Sequence, residues 1–349
     1  MKVDIVNSNP SKKQPRAVIT YDVYTNGNII KQELPFIVGV LADLSGEENL
    51  EIAFPAYKKN SFIEINSANF KEVMGLINPK INFETISSLS ANTYLTSVVS
   101  SWYGLYNLVS NIAAHDNLKL RVLNVSKKTL QNDFEKESET DQSILFKKIY
   151  EAAYGTYSGD GYSLLIGDYG FEENAVDNHL LEKLNQLGTI LHAPFISNNE
   201  EFLSDLVPFK NQPHRDSRIS DIYYLTESIC SAFAIYSWPV ISSHKLSYLL
   251  VANRFAQYIK VIIKNKIGSF LTRSNIEDYL NTWLSNYVLL DDHAPENANA
   301  LFPLREASII VSDIPEKPGE YKATLFIKSH FKLAELTQAI RLEILLPSA

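Results

Sequence analysis

LSYLLVANRFAQYIKVIIKNKIGSFLTRSNIEDYLNTWLSNYVLLDD, residues 246–292, holds two helical patterns divided by a stop. In the first, Leu249, Leu250, Ala252, Ala256, Ile259, Ile262, Ile263 and Ile267 recur at three-and-four spacing, which sets a broad apolar face. Lys264 and Lys266 fall in its last turns, where cations oppose the helix dipole, and Gly268 stands where a helix would end. Ser274 and Glu277 then have the spacing of a capping box, which starts the second helix. Ile276, Leu280, Trp283, Leu284, Tyr287 and Val288 give that helix its own apolar side. So much aromatic and aliphatic surface must be buried, and the pair is expected to form the core of the C-terminal half.

Upstream the pattern changes. Val18 to Tyr24 alternates, Asn26-Gly27 is the dipeptide preferred in type I′ hairpin turns, and Ile29 to Leu34 reads as the return strand. An isolated hairpin is marginal in water, so this one should pair with another sheet, in its own chain or a neighbour's. Pro35 to Leu44 is a nearly continuous apolar strand of the kind buried on both faces. Ser45 to Lys59 reads as a loop, Phe62 to Ile65 as a strand, and Ser67 or Asn69 as the cap of a helix ended by Pro79. Leu89 to Ile112 (helix), Leu118 to Val125 (strand), Asp141 to Tyr154 (helix), Tyr162 to Asp168 (strand), Val176 to Leu187 (helix) and Thr189 to Ile196 (strand) follow. That alternation predicts an α/β fold with mixed sheets and flanking helices. Pro208 to Arg218 breaks it as a linker or surface loop. Downstream, Ser308 to Ser312 and Tyr321 to Lys328 are strands joined by a Pro315 to Gly319 turn, Phe331 to Leu336 a short helix, and Ala339 to Leu346 a terminal alternating strand.

The composition excludes several classes. With 45% hydrophobic and 21% charged residues over 349 positions, the chain is of ordinary globular type. A net charge of −8 without a concentrated basic face argues against nucleic acid as a partner. The single cysteine, Cys230, permits neither an internal disulfide nor a multi-cysteine zinc site. No apolar run reaches the ~20 residues of a bilayer span, and the polar residues 1–15 carry no secretion signal, so direct membrane insertion is not expected and a cytoplasmic location is.

Candidate chemistry is sparse. Asp291-Asp292-His293 is a tight carboxylate–imidazole cluster, but consecutive residues seldom face one site and a polar cap explains it better. His192 sits where α/β enzymes often place function, yet without a partner motif. Gly159-Asp160-Gly161 lacks dinucleotide spacing, and no Walker lysine follows Gly167-Asp168. Ser126 lacks a nucleophile elbow, and Lys127-Lys128 reads as a solvated turn. No cofactor or metal is expected. An enzyme built around His192, Asp168 and Asp291, or a nonpolymerising binding module using the aromatic surface, stays open as an alternative.

Several segments resemble a known family. LPFIVGVLADLSG (34–46) and FIEINSANFKEVMGLINPKINF (62–83) are similar to the small sheath protein of the type VI secretion system. From Ser101 the resemblance passes to the large sheath protein, through SWYGLYNLV, LKLRVLNVSKKTL, DQSILFKKIYEAAYGTYSG, YSLLIGDY, LHAPFI, ANRFAQYIKVIIKNKIGSFLTR, YLNTWLSNYVLLDD, FPLREA, PGEYKATLFIKSHFKLAELT and RLEILLP, in that protein's order. The resemblance divides the chain into an N-terminal tail and hairpin arm (1–33), a small-protein-like segment (34–86), a large-protein-like α/β segment (87–208), a shortened connection (209–245) and a C-terminal helical and β region (246–349). The join lies near Ser87 to Thr96. The part that a recycling AAA+ unfoldase recognises in the family is missing from between the two segments, which implies a compact contractile sheath nearer those of phage tails.

What the resemblance implies is mechanical: a structural, non-enzymatic subunit that polymerises with itself around an inner tube protein, between baseplate and terminal cap proteins. The arms exchanged between subunits would be the hairpin, beginning with Val18, Ile19, Thr20, Tyr21, Asp22 and Val23, and the strand Arg341, Leu342, Glu343, Ile344, Leu345 and Leu346. Lys332 and Glu335, in Phe331 to Thr337, would face the inner tube.

Overall fold

The computed structural model describes residues 18–46, 50–79, 89–111, 117–136, 139–150, 161–172, 174–199, 243–266, 272–291, 302–315, 317, 319–329 and 339–346. Residues 34–259 form one unit, and residues 1–33 with 260–349 form another. The Pro208–Arg218 linker, Cys230, Gly268, Asp292, His293 and the Phe331–Leu336 helix, with Lys332 and Glu335, lie outside the described residues.

The hairpin is as its sequence demands. β1 (Tyr21–Thr25) pairs antiparallel with β2 (Asn28–Gln32), Thr25 opposite Asn28. Asn26 and Gly27 both have positive φ, 52° and 81°, as a type I′ turn requires.

Residues 34–259 are organised by β3 (Phe36–Ala42), the middle strand of a five-stranded sheet. Its neighbours are β5 (Leu118–Asn124) and β6 (Leu164–Phe171), both parallel to it. β7 (Phe195–Asn199) extends the parallel side, and β4 (Ile63–Ile65) adds an antiparallel edge to β5. Alternate residues of β3 serve opposite faces. Val38, Val40 and Ala42 pack with Phe70 and Val73 of α2 (Phe70–Ile77) and with Trp102, Leu105 and Leu108 of α3 (Leu89–Asn111). Ile37 and Leu41 face a second core made by α1 (Leu50–Lys59), α4 (Lys127–Lys136), α5 (Ile144–Tyr150) and α6 (Ala175–Leu191). Gly39 belongs to that face because a Cβ there would stand 2.9 Å from Leu165 and from the Tyr162 ring. Each fully buried Leu or Ile contributes about 1.5–3 kcal/mol, so two dry faces make this strand the anchor of the unit.

Four local expectations are corrected. Residues 50–59 are helix, not loop. Phe54 and Tyr57, three apart, are both buried, while Pro55 between them points outward. The gain from that burial exceeds the cost of the proline. α6 runs on through Thr189–Leu191, which was expected as strand, because Leu180, Leu184, Leu187 and Leu191 keep one helical stripe in the core. His192 ends the helix in the left-handed conformation at φ 54°. Lys127 is not merely a solvated turn. It begins α4, and its ammonium lies 2.9 Å from the buried carboxylate of Asp177 and donates to Gly170 O. The helix expected from Asp141 starts at Ile144, where Asp133 of α4 accepts the Ile144 and Leu145 amides at 3.0 Å.

α7 (Ser243–Asn265) belongs to this unit through Ile259, and Ala252, Phe255, Ala256, Tyr258 and Ile259 on it are inaccessible. Its polar residues gather backbone groups at the strand starts. Arg254 donates to Pro35 O at 2.9 Å and to Leu34 O, and the Leu34 amide donates to the Tyr258 hydroxyl at 2.8 Å. Gln257 donates to Tyr162 O and His192 O.

In the other unit, α8 (Arg273–Ser285) lies along β8 (Leu304–Asp313), which pairs antiparallel with β9 (Tyr321–Ser329), and β9 with β10 (Ile340–Leu345). The cap of α8 is Thr272, whose hydroxyl accepts the Asn275 amide at 3.3 Å, and not a Ser274–Glu277 box. Glu277 is engaged elsewhere, by the Val311 amide. Residues 243–259 of α7 group with residues 34–259, whereas its last turns and α8 fall in the other unit.

Two predictions follow from buried polar groups. Asp133 also accepts the Tyr57 hydroxyl, at 3.1 Å. Asp133→Ala strands that hydroxyl and two amides and should destabilise the chain by about 3 kcal/mol in urea denaturation; a loss below about 1 kcal/mol would contradict this account. Burial also pushes the Lys260 ammonium on α7 down to about 8 from an ordinary value of 10.5. Between those values the unfolded chain binds the proton more fully than the folded one, so this residue makes stability rise with pH. Lys260→Met should flatten that rise and raise the neutral-pH midpoint, and an unchanged slope would remove Lys260 as its cause.

Candidate assembly interface

The root of the N-terminal hairpin is fixed by two aromatic side chains, Trp283 of α8 and Tyr287 just beyond its end. The Trp283 indole N–H donates to Thr20 O at 2.8 Å, and the Tyr287 hydroxyl donates to the same oxygen at 3.0 Å while accepting the Thr20 amide at 3.0 Å. The two rings meet edge to face with centroids 5.3 Å apart. Both backbone groups of Thr20 are thus committed to side chains, which is why the strand begins at Tyr21 rather than at Val18. Nearby, burial and then the charge of Asp22 push the Tyr279 phenol up, and the Lys266 ammonium sits 4.5 Å from that ring.

Beyond the root the hairpin is open. Tyr21 is buried and Val23 half-buried, but every residue of β2 is exposed, including Ile29 at 57% and Ile30 at 51%, and Tyr24 of β1 is 73% exposed. Among the described residues no third strand joins this pair.

The C-terminal strand lies in its own chain's sheet, in the order β10-β9-β8. Leu346 donates to Tyr321 O at 3.0 Å, so by antiparallel alternation Arg341, Glu343 and Leu345 turn their backbone groups outward. Ile344 and Leu346 are buried, whereas Arg341, Glu343 and Leu345 are exposed. Lys322 donates to the Glu343 carboxylate at 3.1 Å and Arg341 at 2.9 Å, and together, Lys322 foremost, they hold that carboxyl below its usual range. The opposite edge, along β8, is occupied. Asn281 donates to Ile309 O at 2.8 Å and accepts the Ile309 amide at 2.9 Å. Glu277 accepts the Val311 amide at 2.8 Å, Arg273 donates to Val311 O, and Leu304 is bonded on both sides to Tyr287 and Leu289.

His192 is a buried helix terminus whose carbonyl is taken by Gln257, Asp168 is buried on β6, and Asp291 is exposed and belongs to the other unit. Among the described residues no group of three His, Cys, Asp or Glu could hold a metal ion, and no helix is long and apolar enough to cross a membrane. Sequence reasoning missed the clamp of Trp283 and Tyr287 and the polar row Arg273, Glu277 and Asn281. The polar row has i, i+4 spacing, which puts it on one stripe of α8, and Tyr287 follows Trp283 by four residues just past the helix end.

Comparison with known proteins agrees with this anatomy. Residues 10–101 match the family described as type VI secretion system, VipA, VC_A0107 or Hcp2. Residues 77–239 match the EvpB/VC_A0108 tail sheath N-terminal domain, and residues 240–346 its gpW/gp25-like domain. The chain is 25% identical over 400 residues to the type VI secretion system sheath protein TssC1 of Pseudomonas aeruginosa, covering 72% of this chain and 80% of that one. It is 34% identical over 84 residues to the sheath protein TssB1 of the same organism, covering 24% of this chain and 48% of that relative, about half its length. The chain belongs to the sheath proteins of the type VI secretion system, a family of structural proteins. Within it, this polypeptide combines features of the small and the large sheath protein.

If the clamp holds the hairpin, Tyr287→Phe, which loses two bonds to Thr20, should speed amide exchange over residues 20–25 roughly tenfold and leave the melting of residues 34–259 unchanged. Unaltered exchange in Tyr287→Phe and in Trp283→Phe would show that the root is held otherwise.

Proposed function

We propose that this chain is the repeating subunit of a contractile sheath, polymerising helically around an inner tube and driving it through a target membrane when the sheath shortens. The observation that carries the reading is the hairpin: anchored at Thr20, yet with exposed Tyr24, Ile29 and Ile30 on a two-stranded sheet that is marginal by itself. Such a strand pair gains stability by joining another sheet, and backbone ladders with alternating side chains would supply affinity and register. The C-terminal strand fits the same logic. Its ladder to β9 could be made equally with β9 of a neighbour, the low-cost exchange that links identical subunits.

On this reading the hairpin and Arg341 to Leu346 are the linking arms, contraction repacks rigid units while the arms stay joined, and Lys332 and Glu335 face the tube protein. Baseplate and cap proteins would close the two ends, and the assembly would work in the cytoplasm without catalysis. The five-part division (1–33, 34–86, 87–208, 209–245, 246–349) belongs to the same proposal. So does operation without unfoldase recycling, since the small-protein-like segment gives way directly to the large-protein-like one.

Electron microscopy of the purified chain, alone and with the inner tube protein, tests the reading. Hollow helical tubes are expected, and removal of residues 1–33 should abolish them while leaving a folded, soluble chain. Only discrete small particles from the intact chain, with the tube protein present, would refute it.

A further inference from the structure

A three-stranded sheet has two edges, and here they are treated differently. Along β10 the outward groups of Arg341, Glu343 and Leu345 meet no described strand. Along β8 the outward groups of Ile309 and Val311 are all taken by α8. The Asn281 side-chain amide both donates to and accepts from Ile309, the pair of bonds a residue of an adjacent strand would make. Glu277 and Arg273, each one helical turn further toward the helix start, do the same for the amide and carbonyl of Val311. Docking a helix on a sheet needs only its apolar face, and Ile276, Leu280, Trp283 and Leu284 provide that. The polar row therefore has a separate consequence: it removes the template that an edge strand offers.

We infer that Asn281 and Glu277 seal the β8 edge, so that a strand from a second copy of this chain can add to this sheet only on the β10 side. This rests on the reading that copies link by strand addition, and it assigns the residues that give the linkage a single direction. A sheet open at both edges could accept strands on either side and branch; one sealed edge leaves a subunit only one way to extend.

The sealed edge can be opened without touching the arms. In full-length chain carrying Cys230→Ser and Ile310→Cys, the new thiol lies on the exposed side of β8, between the two sealed residues. If two copies paired through unsealed β8 edges, Ile309 of one would bond with Val311 of the other, and the two cysteines at 310 would be directly opposite. That non-hydrogen-bonded position has Cα atoms close enough for a disulfide. Adding Asn281→Leu and Glu277→Met should raise disulfide-linked dimer about tenfold over the sealed parent, the factor matching one or two exposed edge bonds, and should turn regular assemblies into branched ones. Glu277→Gln, which keeps an acceptor, should stay at the parent's level. If the double variant fails to fold by circular dichroism, Asn281→Ala alone serves the same comparison. A folded variant with no rise in dimer overturns the sealing role. A rise in dimer from a parent that forms no tubes even with the inner tube protein supports the sealing and refutes the sheath reading instead.

Discussion

Strand Phe36–Ala42 must be covered on both faces and bonded on both edges, and the rest of residues 34–259 follows from that constraint. Its partners β5 and β6 come from far along the chain. The match to the VipA family takes in β3 and β4, whereas β5, β6 and β7 lie in the match to the tail sheath N-terminal domain. The order β4-β5-β3-β6-β7 therefore interleaves the two origins in one sheet. Neither part could keep this sheet alone: without β3, β5 and β6 lose the strand between them, and β3 alone exposes two apolar faces. Within one polypeptide their docking is intramolecular, which raises effective concentration and fixes the stoichiometry.

A second constraint acts where parallel strands begin. Leu34, Pro35, Tyr162 and His192 present backbone groups there, and α7 answers with Arg254, Gln257 and Tyr258. Burying Gln257 in so apolar a helix is tolerable only because both ends of its amide are bonded. The same residues hold the point from which the N-terminal arm departs. Leu34 is secured through its amide and its carbonyl, and at the arm's other end Thr20 is secured through both of its own. Between them, all of β2 and Asp22, Tyr24 and Thr25 of β1 are left exposed.

Much of this was legible in the sequence because one strong signal dominated each element. Asn26-Gly27 determines a hairpin, the apolar run of β3 a doubly buried strand, and the spacing of Ile276, Leu280, Trp283 and Leu284 a helix with one dry side. The failures share a cause: a local signal opposed by burial. Ser45 to Lys59 read as a loop, but the burial of Phe54 and Tyr57 makes residues 50–59 helix despite Pro55. The apolar run Thr189 to Ile196 looked like a strand, although Leu191 continued the helical stripe of Leu180, Leu184 and Leu187. Ser274 and Glu277 had capping-box spacing, yet Glu277 was claimed by a strand amide that no local pattern reveals. The interface was legible in outline only. That the two ends carry β-elements can be read from alternation, but which side chains hold or guard them depends on pairings between residues roughly thirty to 270 apart, as Asn281 with Ile309 and Tyr287 with Thr20 show.

Clamped roots and an exposed strand pair suit a linker that must carry force. A strand held only by side-chain packing can peel from one end, because each contact is lost in turn. Backbone ladders share load across several bonds at once, and each bond is directional, so sliding by one residue would put exposed Glu343 where Ile344 is now buried. The ladder is then limited by its attachment to the rigid units, and that is where the aromatic and guanidinium groups are concentrated: Trp283 and Tyr287 at one root, Arg254 and Tyr258 at the other. Under the proposed contraction, with units moving while arms stay joined, this distribution would combine adaptable pairing in the exposed segment with fixed bonds at its ends.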